Sequence, residues 1–253
     1  VTDREALAER VLDAIAARRA IAPLTATDPG LSIDDAYAIQ DLVVTRLGGP
    51  STPKLGLTSK AKQQQMLVDS PLFGWFPPGA ALERGAPLAV GDLIQPRVEP
   101  EIAFVLARDL RADVDVDDVL AATERVVPAL DVLDSRFEGY GFTLADVVAD
   151  DASAARFAIG APGAAPEGFD LRLTGCVLEV NGDLVATASG AAVLDHPAAA
   201  VAWLAAELGR RDRTLTAGTT ILAGALTAAV AVHPGDVVTA TFDRIGTVEL
   251  RCT

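Results

Sequence analysis

The segment "QPRVEPEIAFVL" at 95–106 sets Glu99 and Glu101 two residues apart at the head of an apolar run. Side chains at that spacing leave the same face of an extended strand, so both carboxylates point into one space. Like charges that close repel, and something positive must offset them. Two readings stand here: the solvated end of a strand, or a pair of ligands for a hard divalent cation, which takes oxygen donors. The second reading needs a further acid. Asp131 in "PALDVLDSRFEGY" (128–140) provides one inside an apolar strand, where an uncompensated carboxylate is costly.

"PKLGLTSKAKQQQM" (53–66) carries the other unusual chemistry. Lys54 precedes Gly56 and the Thr58–Ser59 pair, and a polar run with helical character follows. A lysine neutralises a substrate carboxylate, or moves a proton when burial lowers its pKa. Hydroxyls and backbone amides at a helix start suit an anion. A cationic surface turn is the alternative. Asp134 and Arg136 either aim at a substrate or form a buried ion pair that braces their strand. Trp75 and Phe76, after Gly74, line a pocket mouth or cover the core, whereas Trp203 on an Ala-rich helical face packs. His196 and His233 each adjoin a proline at an element boundary and read as turn or cap residues. Gly218 and Gly224 flank a strand, and no GxGxxG or GxxxxGK[ST] phosphate loop is present.

The elements that must position these groups begin with helices. Leu7, Val11, Leu12 and Ile15 share a helical face behind Asp3, a cap. "SIDDAYAIQDLVVTRL" (32–47) opens on Ser32 with Asp35 three residues on, close to a capping box, and "GGPSTP" (48–53) ends it. The body that follows is built from strand-sized, β-branched runs: "EIAFVL", "VVPALDVLD", "GCVLEV", "TTILAG", "DVVTATF" and "TVELRC". Asn181-Gly182 between apolar flanks is a strong hairpin signal, and "TFDRIGTVEL" forms a second hairpin. Helices are predicted at 117–124 and 196–209, the latter with Pro197 in its first turn and Gly209 at its end. "APGAAPEG" (161–168) reads as a surface loop. Strands outnumber helices without alternating with them, which predicts an α+β fold: an N-terminal helical region over 1–50 and a main body over 51–253.

The bulk properties narrow the partners. A formal charge of −14 argues against nucleic acid or an anionic membrane surface. Cys176 and Cys252 make no disulfide framework and fit free thiols in a reducing compartment. The N-terminal stretch has no continuous apolar run of the signal-peptide kind, and "TILAGALTAAVAV" (220–232) is too short to span a bilayer. The expectation is a cytoplasmic protein with no membrane or nucleic-acid partner.

Taken in order, K-x-G-L-T-S, V-D-x-P, P-R-x-E-x-E-I-A-F, D-x-L-D-S-R and V-V-A-D-x-A-S resemble the hydratase/decarboxylase branch of the fumarylacetoacetate hydrolase superfamily. That branch holds 2-oxopent-4-enoate hydratases and 4-oxalocrotonate decarboxylases of aromatic meta-cleavage catabolism, and the resemblance runs from about residue 20 to the end of the chain. It implies a mixed β-roll with flanking helices, and Glu99, Glu101 and Asp131 as ligands of Mg²⁺ or Mn²⁺. Lys54 is then the active-site lysine, and Leu57, Thr58, Ser59, Leu72 and Ser189 lie by a small 2-oxo acid. In that chemistry the 2-oxo acid chelates the ion, which as a Lewis acid stabilises an enolate oxygen. The resemblance further implies a homo-oligomer, and a complex with a homologous hydratase or decarboxylase.

Leu72 in "VDSPLFGWF" stands where the hydratases carry a second Asp and the decarboxylases an apolar residue. "FTLADVVADDASAARF" and "LTAAVAVHPGD" also look more like decarboxylases, whereas "IAPLTATDPGLSIDDAYAIQ" and "LIQPRVEPEIAF" look as close to hydratases. The balance favours decarboxylation, with hydration as the alternative. A C–C hydrolase of acylpyruvate type ranks third, since no histidine falls near these motifs, and an inactive partner subunit is the non-enzymatic reading. Five departures bear on the substrate: Asp131 for Glu, Asp151 for Asn, Leu67 for Gly, and Ser189 and Asp195 for glycines.

Overall fold

A computed structural model describes residues 2–60, 63, 64, 68 and 70–253. The helical reading of the polar run after Ser59, and the Leu67 departure, fall wholly or partly outside the described residues.

Two helices open the chain. Asp3 caps α1 (Arg4–Ala17) by accepting from the Ala6 amide, and Ser32 caps α2 (Ile33–Arg46) by accepting from the Asp35 amide. Their apolar stripes meet in a core of Leu7, Val11, Ile39 and Val43, to which Phe137 and Val148 also belong.

The strands are β1 (Thr52–Gly56), β2 (Leu72–Phe76), β3 (Ala81–Leu82), β4 (Arg97–Leu106), β5 (Thr123–Leu133), β6 (Ala154–Ile159), β7 (Ala161–Pro162), β8 (Gly175–Val180), β9 (Asp183–Ser189), β10 (Thr220–Ala225), β11 (Val230–Ala231), β12 (Val237–Phe242) and β13 (Gly246–Arg251). Further helices include α3 (Val116–Ala122), α4 (Leu144–Ala149) and α5 (Pro197–Gly209). One sheet runs β2-β1-β10-β4-β5-β6-β3, with β11 added on β4; the other runs β7-β13-β12-β8-β9. Pairing is antiparallel except for β1 with β10 and β3 with β6. The result is a mixed, curled sheet with a second sheet and helices around it, as the α+β reading expects.

Both hairpins form. Asn181 and Gly182 take positive φ values of 55° and 82° between β8 and β9, the backbone a two-residue hairpin turn requires. Phe242 pairs with Gly246 across the second turn. Two expectations need correction. Helix α3 stops at Ala122, and Thr123 and Glu124 already belong to β5. The segment 161–168 is not all loop. Ala161 and Pro162 pair with β13, and Ala164 exchanges backbone hydrogen bonds with Val126, so this stretch stitches the two sheets together.

Alternation along the central strands divides the interior. Val98, Ile102, Phe104 and Leu106 of β4, with Val126, Leu130 and Val132 of β5, face the main core. The opposite face carries Ala103, Val127 and Ala129 into a small inner core with Phe76, Phe157 and Leu222. Glu99, Glu101 and Asp131 lie on that inner face, at the end where the apolar lining gives out.

Candidate active site

Glu99 and Asp131 are direct register partners across β4 and β5, so their side chains leave the same face side by side. Glu101, two residues along β4, completes the group. One oxygen from each of the three lies within 4.8 Å of the others, and all three residues are buried. Burial first, and then the adjoining Asp131 carboxylate, pushes Glu101 well above the usual carboxylate range, while Lys54 works against this. Its Oε2 accepts from the Gly224 amide at 2.7 Å, and its Oε1 has no hydrogen-bond partner.

Lys54 comes from farther away. In a flat sheet β1 and β5 stand three strand spacings apart, about 14 Å. Yet the Lys54 ammonium meets the Asp131 carboxylate at 2.5 Å, with both side chains buried. Only the curl of the sheet allows this. Part of that curl is built into β10, whose register with β4 shifts between Leu222 and Ala225. Gly224 sits in this irregularity at φ 109°, and a Cβ there would fall 2.1 Å from the Thr58 hydroxyl oxygen. Glycine is needed both for the backbone and for the close approach.

The Lys54 ammonium also donates to the Ala152 carbonyl at 3.0 Å and lies 5.5 Å from the centre of the Phe76 ring. These contacts hold the ammonium at the wall of a cavity. Lys54 and Glu99 line a cavity of about 310 Å³ whose other walls include Leu57, Leu72 and Val147. Sequence reasoning missed three polar members of that wall. Arg97 shares the strand face of Glu99, and its guanidinium stacks 4.0 Å from the centre of the Tyr140 ring. Ser153 lies on the same wall. The alternation 97, 99, 101 was the available signal for Arg97; nothing local singled out Tyr140 or Ser153.

The remaining expected residues are placed as follows. Thr58 is buried, and its carbonyl accepts from the Leu194 amide. Ser59 lines an adjoining cavity of about 560 Å³ with Lys60, Asp195 and Ala228, and Ala228 also borders the first. An exposed Lys60–Asp195 ion pair at 2.6 Å crosses between its two walls. Ser189 ends β9 opposite Gly175 in the second sheet and lines neither cavity.

The Asp134–Arg136 reading is corrected. Asp134 accepts from the Ile94 and Gln95 amides, while the guanidinium of Arg136 pairs with Asp150 at 2.5 Å, both buried. Asp150 also accepts from the Ser135 and Ser153 hydroxyls, so this pair braces the turn between α4 and β6. Trp75 and Phe76 are core residues. His196 is a cap: its Nδ1 accepts from the Ala198 amide.

Three hard oxygen donors converging around a partnerless Glu101 oxygen fit a divalent cation. The three carboxylates and the Lys54 ammonium lie together there. Residues 52–253 match the family described as "Fumarylacetoacetate (FAA) hydrolase C-terminal". The chain belongs to that family. It is 40% identical over 250 residues to a 2-keto-4-pentenoate hydratase of Paraburkholderia xenovorans (strain LB400), covering 97% of this chain and 93% of that protein. It is 39% identical over 251 residues to a 4-oxalocrotonate decarboxylase of Pseudomonas putida, covering 97% and 95%. The structure of 4-oxalocrotonate decarboxylase from Pseudomonas putida G7, complexed with magnesium and adipate, superimposes with a TM-score of 0.94 at 37% identity, covering 100% of this chain and 99% of that one. Among the described residues, no helix is long and apolar enough to cross a membrane.

Proposed function

We propose that this protein is a divalent-metal-dependent lyase that decarboxylates a small 2-oxo dicarboxylic acid, 4-oxalocrotonate (2-oxohex-3-enedioate), to 2-hydroxypenta-2,4-dienoate. The observation that carries this reading is the convergence of Glu99, Glu101, Asp131 and Lys54 at one end of a largely apolar cavity.

Glu99, Glu101 and Asp131 would hold Mg²⁺ or Mn²⁺, which when bound supplies Lewis acidity and an anchor for a chelating 2-oxo acid. The chain's own groups do the rest. The apolar walls at Leu57, Leu72 and Val147 exclude water from the reacting carbons. The Lys54 ammonium, on the cavity wall, would offset the negative charge that develops on the C2 oxygen as the reaction proceeds. Breaking the C5–C6 bond releases CO₂; its electron pair becomes the C4–C5 double bond, the C3–C4 double bond moves to C2–C3, and the C2 oxygen becomes an enolate, which takes a proton from solvent on release to give 2-hydroxypenta-2,4-dienoate. Arg97, cationic and held on Tyr140, provides a second carboxylate contact in the same cavity.

A hydratase must in addition deliver water and protonate carbon, which calls for a further acid or base. Leu72 occupies the cavity wall where the resemblance places an acid in hydratases, and among the described wall residues Glu99 is the sole carboxylate. That favours decarboxylation over hydration, although relatives of both kinds stand near 40% identity. The test is incubation of purified protein with Mg²⁺ and 2-oxohex-3-enedioate while CO₂ release and loss of enone absorbance are followed. Water addition to 2-hydroxypenta-2,4-dienoate, with no CO₂ released from the dicarboxylate, overturns the decarboxylase reading. The reading extends to a homo-oligomer, checked by mass from light scattering.

A further inference from the structure

Asp151 is a buried acid for which the reaction above has no use. It stands where the resembling pattern has Asn, and it opens a run, Asp151-Ala152-Ser153, in which all three residues take left-handed backbone at φ 53°, 53° and 56°. Such a run of L-residues is strained and persists only where its surroundings hold it. Two contacts with β2 do so. Asp151 Oδ1 accepts from the Trp75 amide at 2.8 Å, and the Asp151 carbonyl lies so close to Gly74 that a Cβ there would approach it to 2.5 Å. The next residue, Ala152, turns its carbonyl to the Lys54 ammonium. Lys54 in turn pairs with Gly74 across β1 and β2, so lysine, turn and β2 form one closed arrangement.

We propose that the Asp151 side chain does the work of the pattern's asparagine, as the peg that fixes this turn against β2 and thereby aims Lys54 into the cavity. Asp151 is a positioning residue, acting through the Ala152 carbonyl and the Lys54 ammonium. The inference rests on the lyase reading for the role of Lys54.

Burial pushes the Asp151 carboxyl up to about 8 despite the Trp75 amide, Arg136 and Lys54, all of which favour the anion; Asp150 opposes it. These are the groups that face it: Trp75 from β2, Lys54 from β1, Arg136 from the segment after β5 and Asp150 from its own turn. Near neutrality the carboxyl is therefore protonated and does what an asparagine amide oxygen would do. Ionisation places an anion near the Lys54 ammonium and draws it away from the substrate.

The experiment compares wild type, Asp151→Asn and Asp151→Ala across pH, reading both turnover of 2-oxohex-3-enedioate with Mg²⁺ and melting temperature. Asp151→Asn is expected to keep wild-type turnover at pH 7 and to hold it at pH 9, where wild type falls about tenfold because only about a tenth of its Asp151 remains neutral. Asp151→Ala is expected to lose activity at both. The stability reading is independent of turnover. A carboxyl raised from 3.8 to about 8 on folding makes wild type less stable as pH climbs through that window, because the unfolded chain binds fewer protons. Asp151→Asn should remove that slope. Matching alkaline limbs in wild type and Asp151→Asn, or an Asp151→Asn enzyme as impaired at pH 7 as Asp151→Ala, overturns the proposal. If no protein turns the substrate over, the lyase reading is what fails, and an unchanged stability slope in Asp151→Asn still refutes the buried neutral acid.

Discussion

Glu101 is the most exposed to a single change of chemistry. Glu101→Gln keeps the shape and the Gly224 contact but replaces one anionic donor by an amide. Metal-dependent turnover should vanish while the circular dichroism spectrum is unchanged; undiminished activity would remove the assigned role. Lys54→Met preserves much of the stem over Phe76 but deletes the charge. Its expected cost is a fall in kcat of about 10²–10³, on the scale of losing one preorganised electrostatic donor. It also removes one partner of a buried ion pair, so the fold should lose about 3–5 kcal/mol unless metal is bound. Arg97→Ala should raise KM for the dicarboxylate more than it lowers kcat, and should leave product inhibition by 2-hydroxypenta-2,4-dienoate less affected. These residues were legible to unequal degrees. The glutamates announced themselves by spacing, Lys54 by its odd setting. Arg97 was hidden in plain view beside them, and Tyr140 and Ser153 had no pattern to mark them because loops bring them in.

The elements explain how such distant residues meet. Strand β4 aligns Arg97, Glu99 and Glu101 on one face by its period of two, and the register of β5 delivers Asp131 opposite Glu99. The bend in β10 is held by Gly224, packed on Thr58. Gly224→Ala should destabilise the protein by at least about 1–3 kcal/mol, from the positive φ alone, and displace the amide that holds Glu101. Chemical denaturation measures the first effect and metal titration the second. A variant with unaltered stability and metal affinity would show that the bend is set elsewhere. The buried Arg136–Asp150 pair acts one layer further out, fixing the turn that carries Ala152 and Ser153. Asp134 and Arg136 looked like partners because they are neighbours in sequence. Arg136 does donate to the Asp134 backbone carbonyl, but the two charges are met elsewhere, the Asp134 carboxylate by the Ile94 and Gln95 amides and the Arg136 guanidinium by Asp150.

For the molecule as a whole, three buried acids are a liability that ligand binding relieves. A cation that binds the folded form alone stabilises it by about 2.7 kcal/mol at a hundredfold excess over Kd, a rise in melting temperature of about 5–10 °C. Mg²⁺ or Mn²⁺ should give that rise, a chelator should reverse it, and Glu101→Gln should abolish it. No shift with either metal in the wild-type protein would count against the cation site. The N-terminal helices take part in the same cooperative structure. Gln40 of α2 donates to the Phe73 and Val148 carbonyls, tying that helix to β2 and α4 behind the cavity.

Local interactions account for what could be read beforehand. Caps at Asp3 and Ser32, the Asn181-Gly182 turn and the β-branched strands each depend on a few adjacent residues, so composition and spacing were enough to place them. The pairing of Glu99 with Glu101 belongs to the same class, because the pleat of a strand is a local property. The order of strands was not local. Nothing near Lys54 in the chain says that it reaches Asp131, since that contact depends on the curl of a sheet whose strands lie between them. The stitch at Ala161–Ala164 and the true partner of Arg136 likewise arise from segments far apart in sequence, joined by backbone and charge only once the two sheets have packed.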